Sequence, residues 1–433
     1  MLRYIRNTME NKNEGIITRF WIDKDYLSLL EYEEKGGLTA LKNVLSGKVS
    51  RDDVIDEIEK SGLSGRGGSG FLTGLKWRLG KEASEKAKPP VLPAKSHAYF
   101  ICNADESEPG TYKDRIIIEN SPYLVLEGMI IGAWVANANQ GIIYINNSYK
   151  STTHVLRKSI KILEEAKWLG NNIQGSDFSF HVEVFEGAGS YVCGEETALL
   201  NSIEGKRGEP RRKPPYPLEK GLFGRPTIIN NVETLANIPY ILDKGASVYL
   251  SKGKSEETPG EKLFIINGAV KKPGVYETPL GISINELIKD YAGGLENAKE
   301  LKCVQVGGSA GAVYSGEDLD KPLGYGSSDY IPVGSGAILV IDKNTDLKRL
   351  ILAWSLFFRR ESCGKCVPCR EGTYQLHLLA ERMNRGKLME GDKERIEDII
   401  FTMQRASFCP FGSFAVKGWE SVLRLFPEEL FGE

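Results

Sequence analysis

The sequence predicts an α/β protein followed by a small α+β unit and closed by a helical bundle. Three observations carry this. From Gly62 to about Ala246, strand-like segments alternate with helix-like ones, the mark of a parallel sheet with helices packed on it. From 260 to 342, strands gather around one helix. From Thr345 onward the apolar period is helical throughout. A chain of 433 residues has room for such a series, at ~100 to 200 residues per domain.

Residues 1–60 read as a polar, mostly helical lead-in without chemistry of its own. Its last stretch, "RDDVIDEIEKSGLS", repeats Val54, Ile55, Ile58 and Leu63 at helical spacing, so a helix runs into the glycines that follow. Those glycines, "GRGGSG" at 65–70, match G-x-G-x-x-G letter for letter. The fingerprint requires a strand before it and an acidic residue about 20 positions later. Here a helix enters, and the later region reads "KAKPPVLPAK". The usual dinucleotide geometry is excluded, and the glycines need another purpose.

Within 61–246 the predicted strands are "AYFICNADE", "GIIYINNS" and "FHVEVFEGAGSY". The predicted helices are "YLVLEGMIIGAWVANA", "THVLRKSIKILEEAKWLG" and "CGEETALLNSIEG". In 260–342, "KLFIINGAVKKPGVYE" gives two strands across a Lys-Lys-Pro-Gly turn. A helix with Ile284, Leu287, Ile288 and Tyr291 on one face follows, then strands at "LKCVQVGG" and "GAILVID", a β-grasp arrangement. In 345–433 three apolar stripes make a bundle: Leu347, Leu350, Ile351, Trp354, Phe357 and Phe358; Ile396, Ile399, Ile400 and Met403; Val422, Leu425 and Phe426.

Lys plus Arg number 56 against 58 acids, a net charge of −2, so no global field draws nucleic acid. The longest apolar run, from Met129 to Ala138, falls short of the ~18 residues of a membrane span. The N-terminus lacks the apolar core of a signal peptide, which points to the cytoplasm. Seven cysteines, an odd number, argue against a disulfide framework. Cys102 and Cys303 lie in apolar runs and read as packed thiols.

Cys363, Cys366 and Cys369 stand at C-x2-C-x2-C in "ESCGKCVPCREGT", and Cys409 follows in "SFCPFG". About 0.002 such triplets are expected by chance at this cysteine content. Three thiolates on one loop and a fourth from a distant helix suit a 4Fe-4S cluster. A structural zinc site typically uses two separated C-x2-C pairs or adds histidine, and the nearest histidine, His377, reads as a lone helical side chain. A thioredoxin-like dithiol needs no third cysteine. The spacing favours the cluster over both.

Four further segments end strands or begin helices, where open α/β sheets bind ligands: "GRGGSGF", "NADESEPG", "EGAGSYVCGEETAL" and "TIINNVETLAN". Taken in order with "TGLKW", "TYKDR", "GKRGEPR", "KPPYP" and the cysteine motif, they resemble the NADH-binding, FMN-containing subunit of respiratory complex I, over roughly residues 40–430. Paralogous diaphorase subunits of NAD-linked hydrogenases and formate dehydrogenases share these motifs.

The resemblance implies an atypical Rossmann-like domain holding FMN and NAD(H) in one cavity, an SLBB-like β-grasp domain, and the cluster on the helical bundle. It implies that Gly65, Arg66, Gly67, Gly68 and Lys76 line the flavin phosphate side. Asn103, Asp105, Glu106, Tyr191, Gly194, Glu195, Ile229, Asn230, Asn231 and Thr234 fall around FMN. Glu108, Glu196, Lys213 and Tyr216 fall around NADH, with Phe71 on the adenine. Carboxylates such as Glu108 and Glu196 accept ribose hydroxyls and repel a 2′-phosphate. On residue chemistry alone, Glu195 and Glu196 equally suit a helix N-terminus. Aromatics such as Phe71, Tyr191 and Tyr216 equally suit a core. Cys193, in the flavin loop, has no base beside it and reads as packing.

Three departures from the resemblance are Leu79 at a second adenine-side aromatic position, a lysine- and proline-rich inserted loop over Gly80 to Ser96, and Pro410 and Phe411 where small residues are usual. The implied partners are a thioredoxin-like 2Fe-2S subunit and further iron-sulfur subunits. The implied location is the cytoplasmic face of the membrane.

Overall fold

The computed structural model describes residues 15–22, 26–90, 92, 94–296, 299–326 and 328–432. Four parallel strands, β1 (Tyr99–Ala104), β2 (Gln140–Asn146), β3 (His181–Gly187) and β4 (Thr227–Asn231), form the central sheet in the order β3-β2-β1-β4. β1 and β2 lie inside and are buried along nearly their whole length, so they read as apolar runs without alternation. β3 is an edge and tolerates His181, Glu183 and Glu186. The chain steps outward from β1 to β3, then crosses back to place β4 on the other side of β1, with Asn103 paired opposite Asn231. The carboxyl ends of β1 and β4 therefore meet where the strand order reverses, the place where such sheets hold ligands.

Helix Pro122–Val135 is buried on almost every side. Gly128 allows its backbone to approach helix Val232–Lys244, since a Cβ there would stand 2.1 Å from the Leu235 carbonyl oxygen. Among the described residues no single helix is long and apolar enough to cross a membrane. Lys113–Asn120 and Pro122–Val135 reach that composition only as a pair bent by 98°. The lead-in contains helices Leu29–Glu34, Thr39–Leu45 and Arg51–Lys60, the first and last opened by capping boxes at Ser28 and Ser50. The buried Glu127 carboxylate ties it to the core by accepting from Tyr32 Oη at 2.6 Å, Leu38 N at 2.9 Å and Leu41 N at 3.2 Å. The rest of the expected lead-in, residues 1–14 and 23–25, lies outside the described residues.

The expected inserted loop over 80–96 is corrected in its first half. Helix Thr73–Glu85 continues through Gly80, where a Cβ would come within 2.4 Å of Ile228, and is braced by the Lys81–Glu85 ion pair. Residues 91 and 93 of that stretch lie outside the described residues.

The β-grasp sheet comprises β5 (Glu261–Gly268), β6 (Gly274–Pro279), β7 (Leu301–Val306) and β8 (Ala312–Tyr314). A two-residue pair follows, β9 (Leu323–Gly324) and β10 (Ile331–Pro332), and then β11 (Ala337–Asp342). The sheet order is β6-β5-β11-β7-β8, with β5 and β11 parallel at its centre. Ile284, Leu287 and Ile288 of the helical stretch 284–291, and Leu319 of a 3-10 turn at Gly316–Asp320, enter its core. The short β8, β9 and β10 carry no legible period, and the sequence pattern does not predict them. The bundle is formed by helices Leu347–Glu361, Val367–Asn384, Asp392–Ala406, Pro410–Phe414, Lys417–Leu425 and Pro427–Phe431. Leu347, Ile351, Trp354 and Phe358 are its buried stripe.

Candidate flavin, dinucleotide and iron-sulfur site

Helix Arg51–Lys60 runs into the glycine loop, as its apolar spacing predicts. The loop is pinched at its base by Gly65 N donating to Phe71 O at 2.8 Å and Thr73 N to Leu63 O at 2.8 Å. Its tip rests on the end of β4: Arg66 N donates to Thr234 Oγ1 at 2.9 Å, and a Cβ on Gly67 would lie 3.1 Å from Asn231. The Arg66 side chain turns inward. Its guanidinium is wholly buried, donating to Tyr249 Oη, Pro259 O and Ser64 Oγ. The side chain expected on the phosphate side is thus committed to these inward partners, and the Arg66 N–H to Thr234.

Beneath the loop lies a buried ion network that the sequence does not reveal. Glu233 accepts from Lys262 Nζ at 2.9 Å, Lys113 Nζ at 3.0 Å and Leu263 N at 2.8 Å. Asp114 accepts from Lys113 at 2.6 Å and from Asn231 Nδ2 at 2.6 Å. Burial works against the Glu233 charge, but Lys262, Lys113 and Arg66 outweigh it and bring its pKa down to about 2. Burial and Asp114 hold Glu106 up at about 8, so it is largely neutral at pH 7. Lys113, Lys262 and Arg66 thus gather around Glu233, with Asp114 hydrogen-bonded to Lys113. The buried positive excess borders Gly67.

Asn103, at the end of β1, donates to Gly194 O at 3.0 Å and accepts from Asp105 N. Asp105 Oδ1 accepts from Ser107, whereas its Oδ2 is buried with no protein partner. Burial, with a small contribution from Glu361, raises this carboxyl to about 7. A Cβ on Gly194 would meet nothing nearer than Asp105 O at 3.8 Å, so its missing side chain leaves open space. An open cradle, an orphaned acceptor for a ring N–H and a nearby positive excess together fit a flat heteroaromatic group with a phosphate tail.

Other expected residues turn inward. Glu106 accepts from Asp114 N and Arg115 N and so caps helix Lys113–Asn120. Asn230 Oδ1 takes the Trp77 indole N–H at 2.9 Å. Glu195 caps helix Glu196–Ile203 through Thr197 N and Ala198 N, the helix-terminal reading of that residue. Glu108 is buried and accepts from Ala310 N at 3.0 Å and Thr111 Oγ1 at 3.3 Å, with the Ser335 and Tyr191 hydroxyls close by. These neighbours enclose the carboxylate, so a ribose hydroxyl reaches Glu108 only by competing with donors already in place.

Glu196 keeps a free edge. It holds Lys213, which also lies 3.0 Å from Glu195. Burial opposes the Lys213 charge, but Glu196 and Glu195 outweigh it and raise its pKa. Lys76 donates to Ile229 O at 3.0 Å and lies under the Phe71 ring at 5.8 Å. Burial lowers its pKa. Phe71 is 44% exposed and Tyr216 54%, with Leu72, Leu75 and Leu79 also exposed along the start of helix Thr73–Glu85. Leu218, two residues past Tyr216, abuts the same helix at Gly80. This apolar ledge is a surface on which a planar base can lie.

The flavin loop is joined directly to the cysteine loop. Tyr191 N donates to Glu361 at 2.8 Å, and its ring lies 5.2 Å from Phe357 and 5.8 Å from Phe411. Phe411, a departure in the sequence, is thus the aromatic floor between the two loops. Cys193 packs among Tyr144, Val192 and Leu199, with Cys363 against the same cluster. Arg207 donates to Cys363 O at 2.6 Å and Lys365 to Pro210 O at 2.6 Å. Cys369 feels Cys366, Cys409 and Cys363 together. Gly412 brings the Cys409 helix close, since its Cβ would lie 3.3 Å from that of Cys369. Among the described residues no three Cys, His, Asp or Glu side chains are gathered as a metal-ion site. Cys363, Cys366, Cys369 and Cys409 lie in one another's neighbourhood, the four-thiol set that a polynuclear centre uses. His377 is buried on helix Val367–Asn384 and stands apart from this set. Cys102 and Cys303 are buried thiols, as expected.

Family models match in the same order: a Nuo51 FMN-binding domain at 58–240, an SLBB domain at 262–349 and an NADH-ubiquinone oxidoreductase-F iron-sulfur binding region at 349–431. The F subunit of NADH-quinone oxidoreductase from Aquifex aeolicus is 44% identical over 405 residues, covering 93% of this chain and 90% of that protein. This chain belongs to the family of NADH-quinone oxidoreductase F subunits. The Escherichia coli member is 39% identical over 410 residues, covering 94% of this chain and 90% of its own length. A crystal structure of an NAD+-reducing NiFe-hydrogenase in the air-oxidized state superposes with a TM-score of 0.81 at 32% identity, covering 94% of this chain and 67% of that one. The family is one of flavin and iron-sulfur NADH dehydrogenases, and its FMN-binding and iron-sulfur-binding regions span the stretches that contain the two loops.

Proposed function

We propose that the cradle at Gly194 and Asp105 holds the flavin ring, that the glycine loop holds its phosphate, and that the ledge of Phe71 and Tyr216 with Glu196 and Lys213 holds NADH. When bound, FMN supplies hydride chemistry toward NADH, and the 4Fe-4S cluster held by Cys363, Cys366, Cys369 and Cys409 supplies one-electron transfer outward. The chain's own residues bind and orient. Gly67 and Gly68 present backbone amides, Gly65 closes the base of their loop, and the Lys113, Lys262 and Arg66 excess offsets phosphate charge. Asp105 offers its free oxygen to a ring N–H. Glu196, anchored by Lys213, accepts ribose hydroxyls and repels a 2′-phosphate, favouring NADH over NADPH. Tyr191, wedged between Glu361 and Phe411, excludes water from the space between the two loops.

The observation that carries this reading is the Tyr191 contact, which sets the nucleotide loop against the cysteine loop within one packed aromatic cluster. The electrons then pass to partner subunits: a thioredoxin-like 2Fe-2S subunit and further iron-sulfur subunits of a complex I-type assembly on the cytoplasmic face. The likeness to the NAD+-reducing hydrogenase favours a second reading, a diaphorase subunit of a soluble assembly. Co-purification with quinone-binding membrane subunits or with a hydrogenase separates the two. Replacing Cys409 with Ala should leave the protein yellow and reducible by NADH while abolishing the cluster's low-temperature spin resonance. Full iron content in that variant would overturn the ligand assignment.

A further inference from the structure

The Cys369 sulfur has a neighbour that the cysteine spacing does not reveal. Ser362 is the C-cap of helix Leu347–Glu361, its N–H donating to Phe358 O at 3.0 Å, so its position is fixed by the helix end. Its Oγ lies 3.3 Å from Cys369 Sγ and also accepts the Gly364 N–H at 3.3 Å. A hydroxyl has one proton and two lone pairs. Gly364 occupies a lone pair, and a cluster-bound thiolate has no proton to give. The Ser362 proton therefore points at sulfur.

We propose that Ser362 is the positioning residue that sets the reduction potential of the cluster, by donating a hydrogen bond to the Cys369 thiolate. The inference rests on the cluster reading above. Cys369 is the most buried of the four ligands, 6% exposed. A hydrogen bond there is poorly screened and correspondingly effective. Cys366 receives a backbone donor, Phe408 N at 3.4 Å, and Cys409 one from Phe411. Among the described residues Ser362 supplies the side-chain hydroxyl in this set. Reduction adds negative charge to the sulfurs, so the donor stabilises the reduced state more than the oxidised one and raises the potential. Arg207 on Cys363 O and Arg370 on Gly364 O hold the same loop in place without reaching a sulfur.

The test uses the complete protein with its cofactors loaded. Iron content and the presence of the spin-resonance signal report whether the cluster forms, and so judge the cluster reading separately. The potential judges Ser362. S362A should hold the same iron as the parent and be reduced with about tenfold lower equilibrium constant, a fall of about 59 mV for a one-electron couple. S362T, which keeps the hydroxyl, should return most of that fall, and the flavin potential should not move. A parent-like potential in an iron-replete S362A overturns the proposal. A second measurement needs no variant: brief exchange of the unaltered protein into D2O, then electron-nuclear double resonance on the reduced cluster. Loss of a coupled, rapidly exchanging hydroxyl proton is expected, since the backbone amides exchange slowly. Absence of any such proton overturns the proposal equally.

Discussion

Asp105→Asn should remove one carboxyl's share of the pH dependence from the stability of the flavin-free protein, leaving the shares of Glu106 and Glu277 in place. The Asp105 carboxyl is buried, one oxygen lacks a partner, and its pKa rises from 3.8 to about 7. The folded state thus holds this proton after the unfolded chain has released it. The stabilisation is fully present below pH 3.8 and is lost as pH rises to about 7. Integrated over that window, the loss is about 4 kcal/mol at 1.36 kcal/mol per pH step. Between pH 5.5 and 8.5 the unaltered protein should lose about 2 kcal/mol from this group, whereas the variant, with nothing to ionise, should lose none of it. Urea unfolding of flavin-free protein at the two pH values, followed by circular dichroism, measures this difference. Equal slopes with pH in parent and variant would refute a buried, unpartnered carboxylate. The same variant should bind FMN more weakly at pH 7 and above, because the amide oxygen is held by Ser107 and an NH2 donor replaces the free carboxylate oxygen.

Glu233→Gln leaves Lys262 and Lys113 buried without their shared carboxylate. Breaking such a pair costs about 3–5 kcal/mol, and a melting temperature that falls with loss of bound flavin is expected; an unchanged melting point would remove the ion network from the account. Glu196→Gln should raise KM for NADH and narrow the preference for NADH over NADPH with little change in kcat, read from steady-state rates with both dinucleotides.

Elements with a strong period are legible in the sequence. Val54, Ile55 and Ile58 announce the helix before the glycines, and the 363–366–369 spacing announces the cysteine loop, because both signals are local. The motif residues converge on the ends of β1 and β4, yet what each side chain does there is not legible. Arg66, Glu106, Glu108 and Asn230 spend their polar atoms on partners elsewhere in the fold. The ion network is invisible for the same reason. Lys113 and Glu233 sit 120 positions apart in stretches that look like solvated charge, and only the fold buries them together. The helix through Gly80 is hidden because lysine and proline dominate the composition just beyond it, whereas the glycine is there for Ile228.

The central claim, that NADH reduces a flavin lying against a four-cysteine cluster, is tested most directly by adding NADH anaerobically to the purified protein while recording visible absorbance and low-temperature spin resonance. The yellow absorbance should bleach and a reduced 4Fe-4S signal should appear, the latter absent from the Cys409→Ala variant. A colourless protein, or pigment left unbleached by NADH, would contradict the account.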